Sequence, residues 1–407
     1  MRKNNLLFVS YGGAHVFILA PLIKKAKELG FNVNVASFTT GPDLYNNIGI
    51  DCVSAKGFLL ETDLDVKKYG QMLLDEMKAN GNKVIDEEET IAYLGFSFAD
   101  LVKSKGSFEK AKDDYTTNGR GSLLPITMMQ RIFNKFSPDF VITTNSPRAE
   151  KAAQVLAKEN GIPSLQIPDL FCNFERYNLI ADNICVINET AKQNLINLYN
   201  VDSKLIKITG NPDFDKFVNM AKELDTDKIK ELKEKYDLNA EKYVLWNDQK
   251  TIFTGETHSQ FENTEEIVKA NLEEIKTKCE QSGYKLLVKC HTSQDEEMFR
   301  QWCLDNNATF IENTNLYDFM KVANIVIGYS STILVNAYNL GKPVIMLNKT
   351  GEKSFLPITD RKAIREVTDL SQLNETIKEL ENIGSFDDTF GDGTAVDQII
   401  DIISKSL

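Results

Sequence analysis

The chain has 407 residues, of which 42% are hydrophobic, and it carries a formal net charge of −12. This length and composition predict a folded protein of two or three domains, and the acidity argues against a general nucleic-acid-binding protein and against attachment to anionic membranes by bulk charge. No apolar run reaches the ~20 residues of a membrane span, and no secretory leader is recognisable. Because the six cysteines are scattered without a CxxC pair, we expect a cytoplasmic protein without disulfides or a zinc ribbon.

Short apolar strands alternate with helices along the whole chain. The pattern begins with a strand at 6–10, a glycine turn, a helix over 16–29 and a strand at 33–36. This order is typical of a parallel sheet with right-handed crossovers. Further strands are predicted at 140–143, 164–167, 184–187, 206–209, 243–246, 285–288, 325–327 and 343–347. Their lack of apolar and polar alternation predicts helices on both faces of each sheet.

Two features suggest how the chain is divided. Residues 60–135 are acidic and helical with few strand signals, and we interpret them as a helical insertion in the first domain. Near 209–212, glycine, asparagine and proline interrupt regular structure between two series of strands. We therefore predict one domain over 1–209 and a second over 210–394.

The turn after the first predicted strand contains Gly12, Gly13 and His15. Two glycines allow a sharp turn and a close approach of the backbone to a ligand, and the following helix N-terminus favours an anion. His15 is expected at the carboxyl end of the strand, where open α/β sheets bind ligands, and a neutral imidazole there can accept a proton from a sugar hydroxyl. A histidine in an ordinary tight turn is the alternative. The third glycine of the dinucleotide fingerprint is missing, so NAD binding is not predicted.

A second motif lies between the strands at 325–327 and 343–347. Tyr329, Ser330, Ser331 and Thr332 follow the first of these strands and open a helix. Their hydroxyls and the free N–H groups of the helix N-terminus suit a diphosphate. Simple helix capping by serine is the alternative.

Two further polar segments follow predicted strands. His291 is expected to donate to a phosphate oxygen and, as a cation, to offset charge on a leaving nucleotide. Lys250, or His258 further along the same polar loop, is expected to reach the nucleotide. The alternatives are a loop histidine bonded to backbone and a solvated loop. No ligand set for a metal is present, and neither a GxSxG elbow nor a P-loop lysine motif occurs, which argues against common hydrolases and NTPases.

Four short segments share one resemblance. They are Ile208-Thr209-Gly210-Asn211-Pro212, Lys289-Cys290-His291, Tyr329-Ser330-Ser331 with Leu340-Gly341-Lys342-Pro343-Val344, and Gly391-Asp392-Gly393-Thr394-Ala395. They resemble the TGNP, KxHP, DYSS…KPV and C-terminal DG segments of the GT-B superfamily of nucleotide-sugar enzymes. That group includes metal-independent glycosyltransferases, UDP-N-acetylglucosamine 2-epimerases and CDP-glycerol glycerophosphotransferases.

The resemblance implies an α/β fold of GT-B type, with two Rossmann-like domains whose parallel sheets face an interdomain cleft. The last helix, at 395–407, is then expected to pack back on the N-terminal domain. The second domain is expected to hold most of the nucleotide donor and the first domain the acceptor, with His15 as the catalytic base. The predicted donor-binding residues are Gly12, Gly13, Gly210, Asn211, Lys250, His291, Tyr329, Ser330, Ser331 and Thr332.

Two departures from the superfamily's patterns decide among its members. Val335-Asn336-Ala337 lacks the glutamate pair that retaining transferases and the epimerases carry, and 258–263 matches the epimerase HRxEN only in part, without its arginine. These departures favour a metal-independent, inverting glycosyltransferase, or a related alcohol-phosphate transferase, of surface-polysaccharide or glycoconjugate synthesis.

Such a transferase is expected to use a UDP- or CDP-type sugar or polyol donor, a carbohydrate or glycoconjugate acceptor and no cofactor, in the cytoplasm or at the inner face of the membrane. Two alternatives stay open. One is a nucleotide-sugar 2-epimerase or hydrolase, which needs no acceptor, and the other is a non-catalytic sugar-nucleotide-binding protein of the same fold.

Overall fold

The computed structural model describes residues 4–80, 84, 86–173, 179–253, 260–352, 354 and 356–407. It separates into two compact units. The first unit comprises Met1–Asp213 and Thr394–Leu407, and the second comprises Phe214–Gly393. The boundary near the middle of the chain falls inside a helix, whereas the sequence analysis placed it just before Gly210.

The first unit alternates strands and helices, with a group of consecutive helices after its second strand. Its elements are β1 (Asn5–Ser10), α1 (Ala14–Glu28), β2 (Asn32–Ser37), α2 (Gly41–Asn47), α3 (Leu64–Ala79), α4 (Glu87–Lys105), α5 (Phe108–Asn118), α6 (Ile126–Phe136), β3 (Phe140–Thr143), α7 (Ala149–Glu159), β4 (Ser164–Gln166), β5 (Asn183–Val186), α8 (Glu189–Tyr199) and β6 (Ile206–Ile208). Helix α9 (Pro212–Glu223) then carries the chain into the second unit.

The first sheet is parallel throughout, with the strand order β2-β1-β3-β4-β5-β6. Its strands are apolar on both faces because each face lies against helices. In β1, Leu6 and Phe8 belong to one buried cluster with residues of α1, whereas Leu7 and Val9 belong to a second cluster with residues of α4, α6 and α7. Successive strand side chains point to opposite faces, so burial on both faces removes the alternation of half-exposed strands.

The segment at 60–135 contains α3, α4, α5 and α6. Helices α3 and α4 pack with their backbones almost in contact, because glycines occupy the crossing. A Cβ atom added at Gly70 would lie 2.0 Å from the carbonyl oxygen of Ile91, and one added at Gly95 would lie 2.1 Å from that of Val66. The apolar face of this segment completes the core on one face of the first sheet.

The last helix, α16 (Ala395–Ser406), belongs to the first unit, although the chain reaches it only after the second unit. Ile399, Ile400 and Ile403 are buried in the cluster that also contains residues of α1. An ion pair between Lys25 Nζ and Asp397 Oδ1, 2.9 Å long, lies at the surface of this contact.

The second unit repeats the alternation of strands and helices. Its elements after α9 are α10 (Thr226–Lys235), β7 (Tyr243–Asn247), β8 (Thr251–Phe253), β9 (Gln260–Glu262), α11 (Glu265–Gln281), β10 (Lys285–Lys289), α12 (Glu296–Asp305), β11 (Thr309–Phe310), α13 (Leu316–Val322), β12 (Ile325–Gly328), α14 (Thr332–Asn339), β13 (Val344–Leu347), β14 (Ile364–Val367) and α15 (Leu373–Glu381).

The second sheet is also parallel, with the order β11-β10-β7-β12-β13-β14. Counted along the chain, this is the 3-2-1-4-5-6 order of Rossmann domains, in which ligands bind where the order reverses. Here the reversal lies between β7 and β12. The predicted fold class, an α/β protein with two Rossmann-like domains of GT-B type, is confirmed.

The structure adds four strands to those predicted. Strands β8 and β9 pair with each other in antiparallel orientation, in the segment predicted as a polar loop. His258, named there as a candidate, lies outside the described residues. Strands β11 and β14 are the outer strands of the second sheet. Among the described residues, no helix is long and apolar enough to cross a membrane.

Candidate functional site

The carboxyl ends of the strands in the second sheet bring together polar residues from distant parts of the chain. Asp248 follows β7, His291 follows β10, Ser330 follows β12 and Lys349 follows β13. Strands β7 and β12 approach closely at the reversal point, because a Cβ added at Gly328 would lie 3.0 Å from the carbonyl oxygen of Asn247. This edge of the sheet is where open α/β domains bind their ligands.

The N-terminus of α14 supplies hydroxyls and N–H groups at this edge. Ser331 is the N-cap, and its Oγ accepts a hydrogen bond of 3.4 Å from the N–H of Ile333. The Oγ atoms of Ser330 and Ser354 lie 3.3 Å apart, and Thr332 is exposed in the first turn. Capping by serine is therefore present, and the positive end of the helix still faces the edge of the sheet.

Tyr329 lies under this turn and is fully buried. Its hydroxyl accepts a hydrogen bond of 2.9 Å from Asn271 Nδ2, and its ring packs edge-on against Trp246 with the centroids 5.3 Å apart. Asn271 Oδ1 in turn accepts from Lys349 Nζ at 2.5 Å. Tyr329 thus connects β7, β12 and the residue that follows β13, and its side chain supports the turn from below.

Asp248 is buried in the middle of this group. Its Oδ2 accepts a hydrogen bond of 2.9 Å from Trp246 Nε1, and its Oδ1 accepts one of 2.7 Å from Gln294 Nε2. Burial raises the pKa of the Asp248 carboxyl to about 6, although both hydrogen bonds and the charge of Lys349 act in the opposite direction. Gln294 connects Asp248 to the turn after β10, because its Oε1 accepts a hydrogen bond of 2.7 Å from the backbone N–H of His291. Asp248 therefore positions the turn that follows β10.

His291 is exposed at that turn, and its surroundings determine which ring nitrogen carries the proton. The backbone N–H of Ser293 donates to Nδ1 at 3.2 Å, so Nδ1 is an acceptor and the proton of the neutral ring is on Nε2. Burial and the charge of Lys289 both lower the pKa of His291. A neutral imidazole with a free Nε2–H donor is therefore the form at neutral pH, and not the cation expected from the sequence.

Two lysines add positive charge near Asp248. Lys289 is almost fully buried, and its Nζ donates a hydrogen bond of 2.9 Å to the carbonyl oxygen of Cys290. Burial lowers the pKa of Lys289 and that of Lys349, while the charge of Asp248 raises both. The positive charges of Lys289 and Lys349 therefore favour the ionised form of the Asp248 carboxyl group.

The remaining predicted residues lie in other places. Lys250 is exposed directly before β8, and its carbonyl oxygen accepts a hydrogen bond of 2.8 Å from the N–H of Asn263. Gly210 and Asn211 follow β6 and lie in the first unit, where the N–H of Gly210 donates to the carbonyl oxygen of Val186 and Asn211 Oδ1 accepts from the N–H of Asp213.

Gly12, Gly13 and His15 also belong to the first unit. The backbone φ angles of the two glycines are 144° and 58°, values that side-chain-bearing residues rarely adopt. His15 lies in the first turn of α1, one residue beyond the end of the glycine turn. Its Nδ1 is buried and has no hydrogen-bond partner within the described part of the chain.

Sequence reasoning did not identify Asp248, Asn271 and Lys349 as members of this group. The only signal for Asp248 was its place directly after a buried strand. Asn271 lies within α11 and carries no motif, and its role depends on contacts with residues 58 and 78 positions away along the chain. Among the described residues, no cluster of three or more His, Cys, Asp or Glu side chains is arranged to hold a metal.

Two Rossmann-like units, with hydroxyls and cations gathered where the second sheet reverses its order, define an enzyme of the GT-B class that handles nucleotide-activated sugars. The family model for UDP-N-acetylglucosamine 2-epimerase matches residues 176–404, which is more than half of the chain. The chain belongs to this family. A search of curated protein sequences gave no significant match.

Solved structures of similar fold cover the whole chain at low sequence identity. UDP-GlcNAc 2-epimerase from Neisseria meningitidis, bound to UDP-GlcNAc, is 16% identical with a TM-score of 0.57 over 99% of this chain and 100% of that one. UDP-GlcNAc 2-epimerase from Methanocaldococcus jannaschii is 12% identical with a TM-score of 0.60 over 99% and 100%. A glycosyltransferase from Rickettsia africae is 13% identical with a TM-score of 0.56 over 100% and 99%. These similarities show the fold.

The prediction of an inverting glycosyltransferase is wrong. The family match, together with the epimerases among the structures of similar fold, supports the 2-epimerase alternative instead. The mistake came from the weight given to Val335-Asn336-Ala337. A missing carboxylate there removes one location for a proton-transfer group, but it does not imply a second substrate. Neither finding supports a carbohydrate acceptor or attachment to a membrane surface.

Proposed function

We propose that this protein is a nucleotide-sugar epimerase that inverts the configuration at C2 of a UDP-linked N-acetylhexosamine without an acceptor substrate. The observation that carries the proposal is the family match over 176–404, which spans the whole second unit. The Neisseria meningitidis enzyme of the same fold was solved with UDP-GlcNAc bound, and this motivates the choice of substrate.

The second unit offers suitable groups for the diphosphate of such a substrate. The N-terminus of α14 presents the positive end of the helix dipole, to which phosphates bind readily. Ser330 and Thr332 add hydroxyls on either side of the N-cap, and His291 adds a neutral Nε2–H donor from the turn after β10. Lys349 supplies the compensating positive charge at the end of β13. Together these groups would hold the diphosphate oxygens by charge-assisted hydrogen bonds.

Epimerisation at C2 requires that a proton leave one face of the sugar and that a proton be returned on the other face. Both steps need groups whose pKa values lie near the working pH. Because nothing on C2 stabilises a carbanion, the electron pair of the broken C2–H bond forms a C1=C2 double bond while UDP leaves C1. UDP then adds back at C1 as a proton returns to the other face of C2. Donors that stabilise the charge on the departing diphosphate lower the barrier to both steps.

His15 in the first unit is the proposed proton-transfer group on this chain. Its imidazole lies beyond the glycine turn after β1, and its buried Nδ1 is left without a partner in the part of the chain that the structure describes. Val335-Asn336-Ala337 carries no carboxylate, so residues of that segment do not take this role.

The test uses purified protein and UDP-N-acetylglucosamine alone, in deuterated water, followed by proton NMR. We expect anomeric signals of a second nucleotide sugar, with deuterium entering at C2 because the proton there exchanges with solvent. His15→Gln should abolish the exchange while leaving UDP binding intact. His291→Ala combined with Ser331→Ala should weaken UDP binding, and Thr277→Ala, an exposed helix hydroxyl of the same unit, should change neither property.

Two results would exclude the proposal. Release of UDP without a second nucleotide sugar would show a hydrolase. Saturable binding of UDP-N-acetylglucosamine with no exchange at C2 and no product would show a binding protein that has kept the fold.

A further inference from the structure

The first unit contains a cavity of about 200 Å3 that the proposed function does not use. Tyr11, which follows β1, and Thr39, which follows β2, line one side, and Arg148 from the turn after β3 lines another. Tyr93 of α4 and Arg120, which follows α5, also line the cavity. In the first sheet β1 and β3 are neighbours; the chain continues from β1 to β2 on one side and from β3 to β4 on the other. The strand order therefore reverses between β1 and β3. The cavity lies at this reversal point, where such sheets bind ligands.

Two buried polar atoms at this cavity have no hydrogen-bond partner within the described residues. They are the hydroxyl of Tyr93, whose side chain is 1% exposed, and Nε of Arg148. The two side chains interact with each other, because Arg148 counteracts the rise in the pKa of Tyr93 that burial causes. Buried polar groups are almost always paired, because an unpaired one loses its hydration without compensation. Both groups can donate a hydrogen bond. A ligand that satisfies them must therefore offer acceptor oxygens.

The arginine is held in place by its neighbours. The guanidinium carbon of Arg148 lies 4.5 Å from the centroid of the Tyr11 ring, and this ring lies 5.7 Å from that of Tyr93. The backbone N–H of Tyr11 donates to Oε1 of the fully buried Glu150 at 2.7 Å. Thr39 adopts a φ of 58° and donates from Oγ1 to the carbonyl oxygen of Tyr11 at 3.3 Å. Such strain in a residue with a branched side chain tends to occur at ligand sites.

The charges around the cavity favour an anion. Neither Arg148 nor Arg120 forms an ion pair with any residue that the structure describes, whereas Asp86, on the cavity wall, is paired with Lys56. Glu89 lies nearby but is bound by the backbone N–H groups of residues 39, 55 and 56. Burial acts to lower the pKa of Arg148, whereas the charge of the buried Glu150 is among the causes that raise it overall, so Glu150 already offsets part of the charge of Arg148. A guanidinium group without an ion-pair partner binds carboxylate or phosphate through parallel hydrogen bonds.

The size of the cavity restricts the ligand further. A volume of about 200 Å3 is below the roughly 300–1,000 Å3 of sites that enclose drug-sized molecules, and it suits a group the size of a single sugar ring. Threonine hydroxyls and two tyrosine rings surround the cavity, a combination suited to a polyhydroxylated ring with one polar and one apolar face.

We propose that this cavity binds an acidic, monosaccharide-sized ligand, with Arg148 and Arg120 on its anionic oxygens and the Tyr93 hydroxyl donating to it. The anionic group is a carboxylate, as in a sugar acid, or a phosphate, as in a sugar phosphate. The site is carried by the first unit alone and does not depend on nucleotide binding by the second.

The test measures binding to the full chain by calorimetry and by the shift in unfolding temperature, since a ligand that binds only the folded state raises that temperature. The probes are glucuronate, glucose 6-phosphate, glucose and inorganic phosphate. We expect glucuronate or glucose 6-phosphate to bind, and the one that binds more tightly identifies the anionic group. Glucose should show no measurable binding and should not compete with either acid.

The variants separate ligand binding from folding. Tyr93→Phe removes only the hydroxyl, which interacts with Arg148, so the ligand-free protein should unfold close to the wild-type temperature. Affinity for the acid should fall by about tenfold, the effect of losing a hydrogen bond to a charged group. Arg148→Gln should abolish binding, and Lys158→Gln, exposed on helix α7, which begins directly after Arg148, should bind as the wild type does.

Three results would overturn the proposal: no saturable binding of either acid up to millimolar concentrations, equal binding of glucose, or wild-type affinity in both cavity variants. Binding of inorganic phosphate without either sugar acid would likewise exclude a sugar-sized ligand. Parallel titration with UDP keeps the two proposals apart, because acid binding without UDP binding would contradict the proposed function and leave the cavity site intact.

Discussion

We expect the stability of the second unit to fall as the pH rises from about 4 to about 6, because of Asp248. Burial raises the pKa of this carboxyl from an ordinary 3.8 to about 6. Between these values the folded state holds a proton that the unfolded chain has released, so stability decreases with rising pH in this window. The favourable contribution is fully present below about pH 3.8 and is lost as the pH rises through about 6.

The size of the effect follows from the two pKa values. One pKa unit corresponds to about 1.4 kcal/mol, so the change from 3.8 to about 6 amounts to about 3 kcal/mol. Asp248→Asn cannot ionise and should lose this dependence. The variant also places an amide N–H2 against one of the two donors, Trp246 Nε1 or Gln294 Nε2, which should cost about 1–3 kcal/mol at every pH.

The assay is urea unfolding of the wild type and Asp248→Asn between pH 4 and 7.5, followed by tryptophan fluorescence. Both tryptophans of the chain, Trp246 and Trp302, lie in the second unit, so the signal reports on that unit. The difference in free energy of unfolding between the two proteins should change by about 2 kcal/mol across this range, somewhat less than the full effect because pH 4 already lies above the ordinary pKa.

Asp63→Asn provides a comparison of opposite sign, with circular dichroism as the signal because Asp63 lies in the first unit. Its ion pair with Arg131 lowers the pKa of Asp63, so the stabilisation is present above the ordinary pKa and is lost as the pH falls. A difference between wild type and Asp248→Asn that stays constant from pH 4 to 7.5 would refute the assignment of Asp248 as a buried carboxyl of raised pKa.

Three further predictions concern other positions. Gly70→Ala should destabilise the first unit by about 3 kcal/mol or more, because its Cβ would meet the carbonyl oxygen of Ile91. The control Gly57→Ala has open space around the added Cβ and should change stability by less than about 0.5 kcal/mol. Thermal unfolding followed by circular dichroism measures both. Ser331→Ala should lower the stability of the second unit by about 1 kcal/mol through the lost helix cap, and unchanged tryptophan unfolding curves would contradict this. His291→Ala should weaken UDP binding about tenfold in calorimetry. The loss should be equal at pH 7 and pH 8, because the lowered pKa of the ring keeps it neutral at both. A loss of affinity confined to pH below about 6 would contradict a neutral donor.

The sequence predicted the inner strands of both sheets because each is a short apolar run between a helix and a turn. It did not predict β14, where Arg365 and Glu366 interrupt the apolar pattern of an outer strand, or β11, which has two residues. Outer strands are half solvated and tolerate polar residues. Their pairing depends on the sheet already in place, and a single sequence does not reveal it.

The candidate site was predicted only where local chemistry is visible. Serines and a threonine directly after a buried strand indicate a helix N-terminus for an anion, and Ser331 does cap α14. A carboxylate in a polar segment is normally solvated, so nothing local distinguished Asp248, whose burial depends on Gln294 46 residues away. Arg148 and Tyr93 carry no motif, and the cavity wall combines residues of α4 with residues that follow β1, β2 and β3.

Helix α16 has a consequence for the order in which the protein folds during synthesis. The second unit is one continuous stretch and is complete once Gly393 has been made. The first unit is not, because Ile399 and Ile403 fill its core. Until the ribosome has released these residues, the core beside α1 stays open and exposes apolar side chains, which makes the nascent N-terminal half a natural client for chaperones.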